Sequence, residues 1–170
     1  MPIDNCTYTF EELAETVLPR HFQRLQLAMK KPIPAESLVG HKSFSREVTT
    51  KLDKQADFPG CYVFINEKTP EYVGISRHVV GRLLQHLNYD SHNSSPWVYR
   101  MALKDYPHEM KRDQAMKDEK FKKAFLLRQE SLRPMKIAWV EIENDLELYA
   151  FEVFAAMRLD TYKWNTFRTH

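Results

Sequence analysis

Two tyrosines, Tyr62 and Tyr72, stand on successive short extended stretches, and Arg82 and His86 stand four apart on the amphipathic stretch that follows. Residues four apart on a helix share one face. A guanidinium neutralises a phosphate through two parallel hydrogen bonds, while tyrosine and histidine can carry protons to and from oxygen. The chemistry that suits this set is attack on a phosphodiester. A free tyrosine, with a pKa of about 10, is a poor base near neutral pH. Either phenol acting as base therefore needs help from the Arg82 charge or from a metal ion. Taken singly, each tyrosine is an ordinary strand aromatic and Arg82 an ordinary solvated helix cation; the combination is what points to a site.

A further anomaly lies near the C-terminus. In LELYAFEVFAAMRL, Glu152 shares a helix face with Leu148, Ala155 and Leu159. An acid on an apolar face is costly unless it is paired or bound to metal. Two readings follow, a structural ion pair with a core arginine or lysine, or a ligand to a divalent cation. A lone carboxylate completed by water suits magnesium, which dehydrates reluctantly.

The elements that must position these groups can be read from periodicity. Gly60–Glu67 alternates and is rich in β-branched and aromatic residues, residues 67–70 form a turn, and Glu71–Ser76 is a second strand. Ser76 stands where a helix cap belongs, and Val80, Leu83, Leu84 and Leu87 give the buried stripe of a helix ending near Leu87. Upstream, Thr9 to Glu12 form a capping box for a helix from Phe10, which Pro19 should break or kink. A second helical piece, His21–Lys30, should end at Pro32-Ile33-Pro34, with a short helix within Ser43–Lys54. Downstream come a helix over Pro96–Leu103, a longer helical region over His108–Leu132, a strand over Met135–Glu143, and a helix over Leu146–Leu159 capped by Asn144 or Asp145. Residues 111–136 are the most basic part of the chain. They read either as a phosphate-facing surface or, more commonly for such a run, as a solvated helix face laced with ion pairs.

With these residues in view, the chain resembles the GIY-YIG nuclease superfamily. The first signature stands as Gly60-Cys61-Tyr62, with cysteine for the usual isoleucine, and the second as Tyr72-Val73-Gly74. Arg82 follows at the interval of the family's catalytic arginine, His86 lies one turn on, and Glu152 and Asn165 match two later positions. The resemblance implies an α/β (α+β) fold, a small three-stranded, mostly antiparallel sheet flanked by helices. It would span residues 57–170 with a helical insertion at about 88–134, behind a helical N-terminal extension, residues 1–56. It also implies a metal-dependent endonuclease that hydrolyses DNA, double-stranded in the first instance, with a single Mg²⁺ or Mn²⁺ on Glu152. Arg82 would neutralise the phosphate, and Tyr62 with Tyr72 would activate the water, the analogy favouring Tyr62 as base. His86 would orient or protonate. Gly74, Ser76, Arg77 and Asn165 would lie against substrate, although Ser76 is equally explained as a helix cap. Cutting both strands with one site per chain often calls for a homodimer. Two alternatives stand beside this reading: a non-catalytic nucleic-acid-binding or adaptor module, and a phosphodiesterase acting on RNA or a small nucleotide.

Composition bounds these readings. The chain has 170 residues, 43% hydrophobic and 12% aromatic, with a formal net charge of +2, the profile of a folded protein whose charge neither demands nor excludes nucleic acid. Cys6 and Cys61 lie far apart without metal-ligand spacing, which argues against a disulfide scaffold or zinc and for a reducing compartment. No apolar run approaches the roughly 20 residues that span a bilayer, and the N-terminus is acidic, unlike a signal peptide. The expectation is a soluble cytoplasmic protein without a membrane partner. His21, His41, His78, His92 and His108 lack ligand spacing and read as surface residues, and terminal His170 receives no role.

Overall fold

A computed structural model describes residues 2–167, so His170 lies outside the described residues. In chain order the elements are α1 (Phe10–Glu12), a π-helical turn (Leu13–Val17), α2 (Leu18–Met29), β1 (Ile33–Pro34), α3 (Arg46–Leu52), β2 (Gly60–Asn66), β3 (Thr69–Ser76), α4 (Val79–Asn88), α5 (Pro96–Asp105), α6 (Arg112–Ala115), α7 (Glu119–Glu130), β4 (Lys136–Glu141) and α8 (Asp145–Arg158). They group into two compact units. One holds residues 2–33, 56–79 and 136–167, the other 34–55 and 80–135.

The first unit is built on the β2–β3 hairpin. Its turn is tighter than the sequence implies: Asn66 pairs with Thr69, leaving Glu67 and Lys68 as a two-residue loop with Glu67 at a φ of 54°. β2 is central, antiparallel to β3 on one side and to β4 on the other. The sheet has four strands in the order β1-β4-β2-β3, one more than expected. The extra strand hides in Pro32-Ile33-Pro34, where prolines signal a helix stop but are equally at home on a sheet edge.

Side chains alternate across β2. Cys61, Val63 and Ile65, with Val73, Ala138 and Val140, face a core made with Leu18 and Leu25 of α2 and Leu148, Phe151 and Ala155 of α8. Phe151 is fully buried, worth about 1.5–3 kcal/mol of transfer free energy by itself. Tyr62, Phe64, Tyr72 and Gly74 belong to the opposite face.

The N-terminal helix starts as its sequence dictates. The Thr9 hydroxyl accepts from the Glu12 N–H at 3.2 Å and the Glu12 carboxylate from the Thr9 N–H at 2.8 Å. Pro19 does not break it. The backbone widens into the π turn just before the residue that lacks an N–H, and the helix then runs on through α2.

In the second unit α7 packs Phe121 and Phe125 inward, with the Phe121 ring 5.0 Å from Tyr99 of α5 and 4.6 Å from His108. The helical region expected over 108–132 is divided, because the Asp118 carboxylate accepts from the Phe121 N–H at 2.8 Å and starts α7 afresh. Its charges are laced into ion pairs: Lys122 with Asp90 at 3.2 Å, Arg133 with Glu130 at 2.6 Å, and Arg128 with Asp105. Among the described residues no helix is long and apolar enough to cross a membrane.

Candidate active site

The two signature glycines have a common physical cause. Tyr62 pairs with Gly74 across the hairpin, and the hydroxyl end of its ring occupies the space where a Cβ on residue 74 would stand. A Cβ on Gly60 would likewise collide with the Val140 carbonyl of β4. Neither glycine is needed for a left-handed backbone; both are needed for close approach. The Tyr62 ring, buried against β3, lies 6.3 Å from the ring of Tyr72 and 6.2 Å from that of Phe64. Tyr72 is half-buried. Both tyrosines and Gly74 therefore share one face of the sheet.

Asn165 is fastened to the same strand. Its Oδ1 accepts from the Val73 N–H at 3.0 Å and its Nδ2 donates to the Val73 carbonyl at 2.7 Å. The amide thus acts as a one-residue strand partner on the open edge of β3, between Tyr72 and Gly74. The chain reaches it by reversing after α8: Asp160 takes a φ of 59° and the Thr161 N–H returns to the Ala156 carbonyl at 3.1 Å, a Schellman-type stop.

Glu152 is half-buried on α8, the helix packed on the Cys61 face of the sheet. The Cys61 thiol is pushed well up, first by complete burial and then by the Glu152 charge. Cys61 is thus an apolar filler rather than a nucleophile. Among the described residues no group of three or more His, Cys, Asp or Glu is placed to hold a metal. Glu152 alone fits a water-rich Mg²⁺ or Mn²⁺ held through one hard carboxylate, and does not fit an ion caged by protein.

In the second unit, Arg82 is half-buried on α4, and its Nη1 donates to Gln85 Oε1 at 3.1 Å and to the Ser94 carbonyl at 3.0 Å. His86 is completely buried, its Nδ1 2.8 Å from the Ser95 hydroxyl and its ring edge-on to Trp97 at 6.2 Å. Burial, and then the Arg82 charge, hold this imidazole well below its usual pKa. It is neutral at physiological pH, suited to hydrogen bonding rather than to donating a proton.

Ser76 falls differently from the helix-cap expectation. The α4 helix begins only at Val79, and Ser76 ends β3 with its hydroxyl accepting from the His78 N–H at 2.9 Å, a turn rather than a helix cap. Arg77 forms an ion pair with Asp145 at the start of α8. Two of the histidines read as surface residues are buried. His21 stands 2.8 Å from Glu147 Oε2 and receives a hydrogen bond from Arg24 at 3.2 Å, while His92 stands 3.5 Å from Asp113 and packs on Tyr99. Spacing excludes a ligand set but says nothing about burial, which is decided by partners distant in sequence.

Sequence reasoning missed Ser94 and Ser95, which hold Arg82 and His86. Ser95 precedes Pro96 and makes no side-chain cap bond to α5; its hydroxyl meets His86 instead.

No family model matches the chain, and no curated protein matches it either. Among solved structures, the chain is similar to the GIY-YIG N-terminal endonuclease domain of UvrC from Thermotoga maritima bound to its catalytic magnesium. The identity is 15%, with 72% of this chain and 100% of that chain covered and a TM-score of 0.39. A point mutant of the same domain bound to its catalytic divalent cation aligns at 18% identity over 72% of this chain and 99% of that one, with a TM-score of 0.37.

Proposed function

We propose that this chain is a metal-dependent endonuclease of the GIY-YIG type that hydrolyses phosphodiester bonds of double-stranded DNA. The observation that carries the reading is the Tyr62–Gly74 contact, with Tyr72 beside it. The glycine of the second signature is there to admit the phenol of the first, so the two motifs act as one construction.

In the reaction, the oxygen of a water attacks phosphorus, the bond from phosphorus to the leaving deoxyribose oxygen breaks, and that oxygen takes up a proton from solvent. Tyr62, with Tyr72, orders the attacking water, and the phenolate form of Tyr62 accepts the water's proton. Arg82, its guanidinium oriented by Gln85 and the Ser94 carbonyl, neutralises the charge that grows on the phosphate oxygens. Neutral His86 acts through hydrogen bonds. Asn165 positions the strand that carries Tyr72 and Gly74. Glu152 would hold the Mg²⁺ or Mn²⁺, which when bound supplies Lewis-acid stabilisation of phosphate and leaving-group charge. The role given to Arg77 as a phosphate contact competes with its ion pair to Asp145.

A second reading, nucleic-acid binding without hydrolysis, is favoured by one observation: Glu152 stands on the α8 side of the sheet, while Tyr62 and Tyr72 project from the other side. Single-turnover nicking of supercoiled plasmid separates the two. Arg82→Ala and Glu152→Gln should each lose about 10²–10³ in rate with unchanged circular dichroism. Activity retained in both would remove the roles given to Arg82 and Glu152, and no nicking by the unsubstituted chain would favour the binding reading.

A further inference from the structure

We propose that the solvent face of α7 is the contact through which two copies of this chain pair, antiparallel, about a twofold axis between Leu126 and Leu127. α7 is a 12-residue helix whose inward face carries buried Phe121, Phe125 and Gln129. Gln129 pins it further by donating to the carbonyls of His86 at 3.0 Å and Tyr89 at 2.9 Å. The opposite face carries Glu119, Lys122, Lys123, Leu126, Leu127 and Glu130, which line a shallow apolar depression of about 380 Å³. Their spacing is that of a helix-pairing seam, i, i+3/i+4, i+7/i+8 and i+11. Leu127 is 61% exposed and Leu126 39% exposed, both at the centre of the seam. Leu127 in particular is turned to water on a helix already anchored by its other face.

The charges decide which occupant fits. Antiparallel pairing about this axis sets Leu126 against Leu127 of the second copy, and Lys123 against its Glu130. A twofold contact repeats every pair, so the leucines are flanked on both sides by a lysine–glutamate pair. Lys122 is already engaged by Asp90, whereas Lys123, exposed beside the leucines, makes no ion pair among the described residues. Glu130 is held through both oxygens by Arg133 within its own chain, so Lys123 of the second copy would join an existing Arg133–Glu130 pair. A phosphate backbone would instead meet Glu119 and Glu130 on the same seam, which disfavours nucleic acid as the occupant. One face of a helix about 18 Å long offers less surface than the roughly 800 Å² per partner of a standard interface. The pairing is therefore weak, concentration-dependent and sensitive to salt.

Sedimentation of the full chain measures this without reference to any nuclease activity. With rising concentration, up to several hundred micromolar, the weight-average mass should climb from the 20.2 kDa monomer towards twice that value. Leu127→Glu and Lys123→Glu should each weaken association by about tenfold or more, and combining Lys123→Glu with Glu130→Lys should restore it. All three positions are on the open face of the helix, so circular dichroism should be unchanged. A chain that stays monomeric throughout, a dimer indifferent to Leu127→Glu, or a charge exchange that fails to restore pairing would each overturn the proposal.

Discussion

At the residue scale, close packing explains more of this site than charge does. Gly74 is fixed by the ring of Tyr62 lying across it, and the ring cannot swing away because Tyr62 is itself 1% exposed. Gly74→Ala should therefore either displace the phenol or part the strands, costing about 1–3 kcal/mol, the usual penalty of overpacking. Chemical denaturation would read the stability loss. Nicking should fall with it, as far as it does in Tyr62→Phe, whose expected loss is about 10²–10⁴ for removal of a proton-transfer group. Wild-type activity in Gly74→Ala would separate the glycine from the phenol and undo the idea that the two signatures form one construction.

At the element scale, the segment from α4 to the start of α5 keeps two basic side chains under different rules. Arg82 is held by acceptors; His86 is held neutral by burial. His21, beside α8, is also lowered, its burial outweighing the pull of Glu147. Both imidazoles sit below the reference value of 6.5 in the folded chain. As pH falls below that value the unfolded chain binds protons first, so stability drains towards the folded-state pKa values and is complete above 6.5. The slope should be at most about 1.4 kcal/mol per pH unit for each histidine. Melting temperatures from pH 7.5 to pH 5 should fall, and His86→Gln should flatten part of the fall. A melting temperature that holds or rises on acidification would contradict the burial account.

The same scale shows what could be read in advance. Elements with strong local periodicity stand where their sequence places them: the hairpin, the α4 stripe, β4, and α8 with its Asn144 cap accepting from the Glu147 N–H at 3.1 Å. The motif residues Tyr62, Gly74 and Asn165 were legible as candidates. Their physical roles were not, because the Tyr62–Gly74 clash and the Asn165–Val73 clamp depend on partners that local patterns do not reveal. Pro19 and the prolines on either side of Ile33 misled for a related reason. Proline announces a break, while the backbone has other ways to absorb it: a π turn in one case and an edge strand, Ile33–Pro34, in the other. Ser95 was hidden because one residue type serves both as a cap and as a partner for a buried imidazole.

At the scale of the whole molecule, the proposed hydrolysis would fall to a chain whose candidate metal ligand is a single half-buried carboxylate and whose net charge is just +2. Binding to duplex DNA should then be modest and steeply salt-dependent, with rate acceleration resting on a divalent ion, Arg82 and the paired tyrosines. The most direct test is to incubate the purified full chain with supercoiled plasmid in Mg²⁺, with an EDTA arm in parallel. Conversion to nicked or linear forms is expected in Mg²⁺ and none in EDTA. Plasmid that stays supercoiled in Mg²⁺, under conditions where the chain binds it, would contradict the hydrolytic assignment and leave a nucleic-acid-binding module.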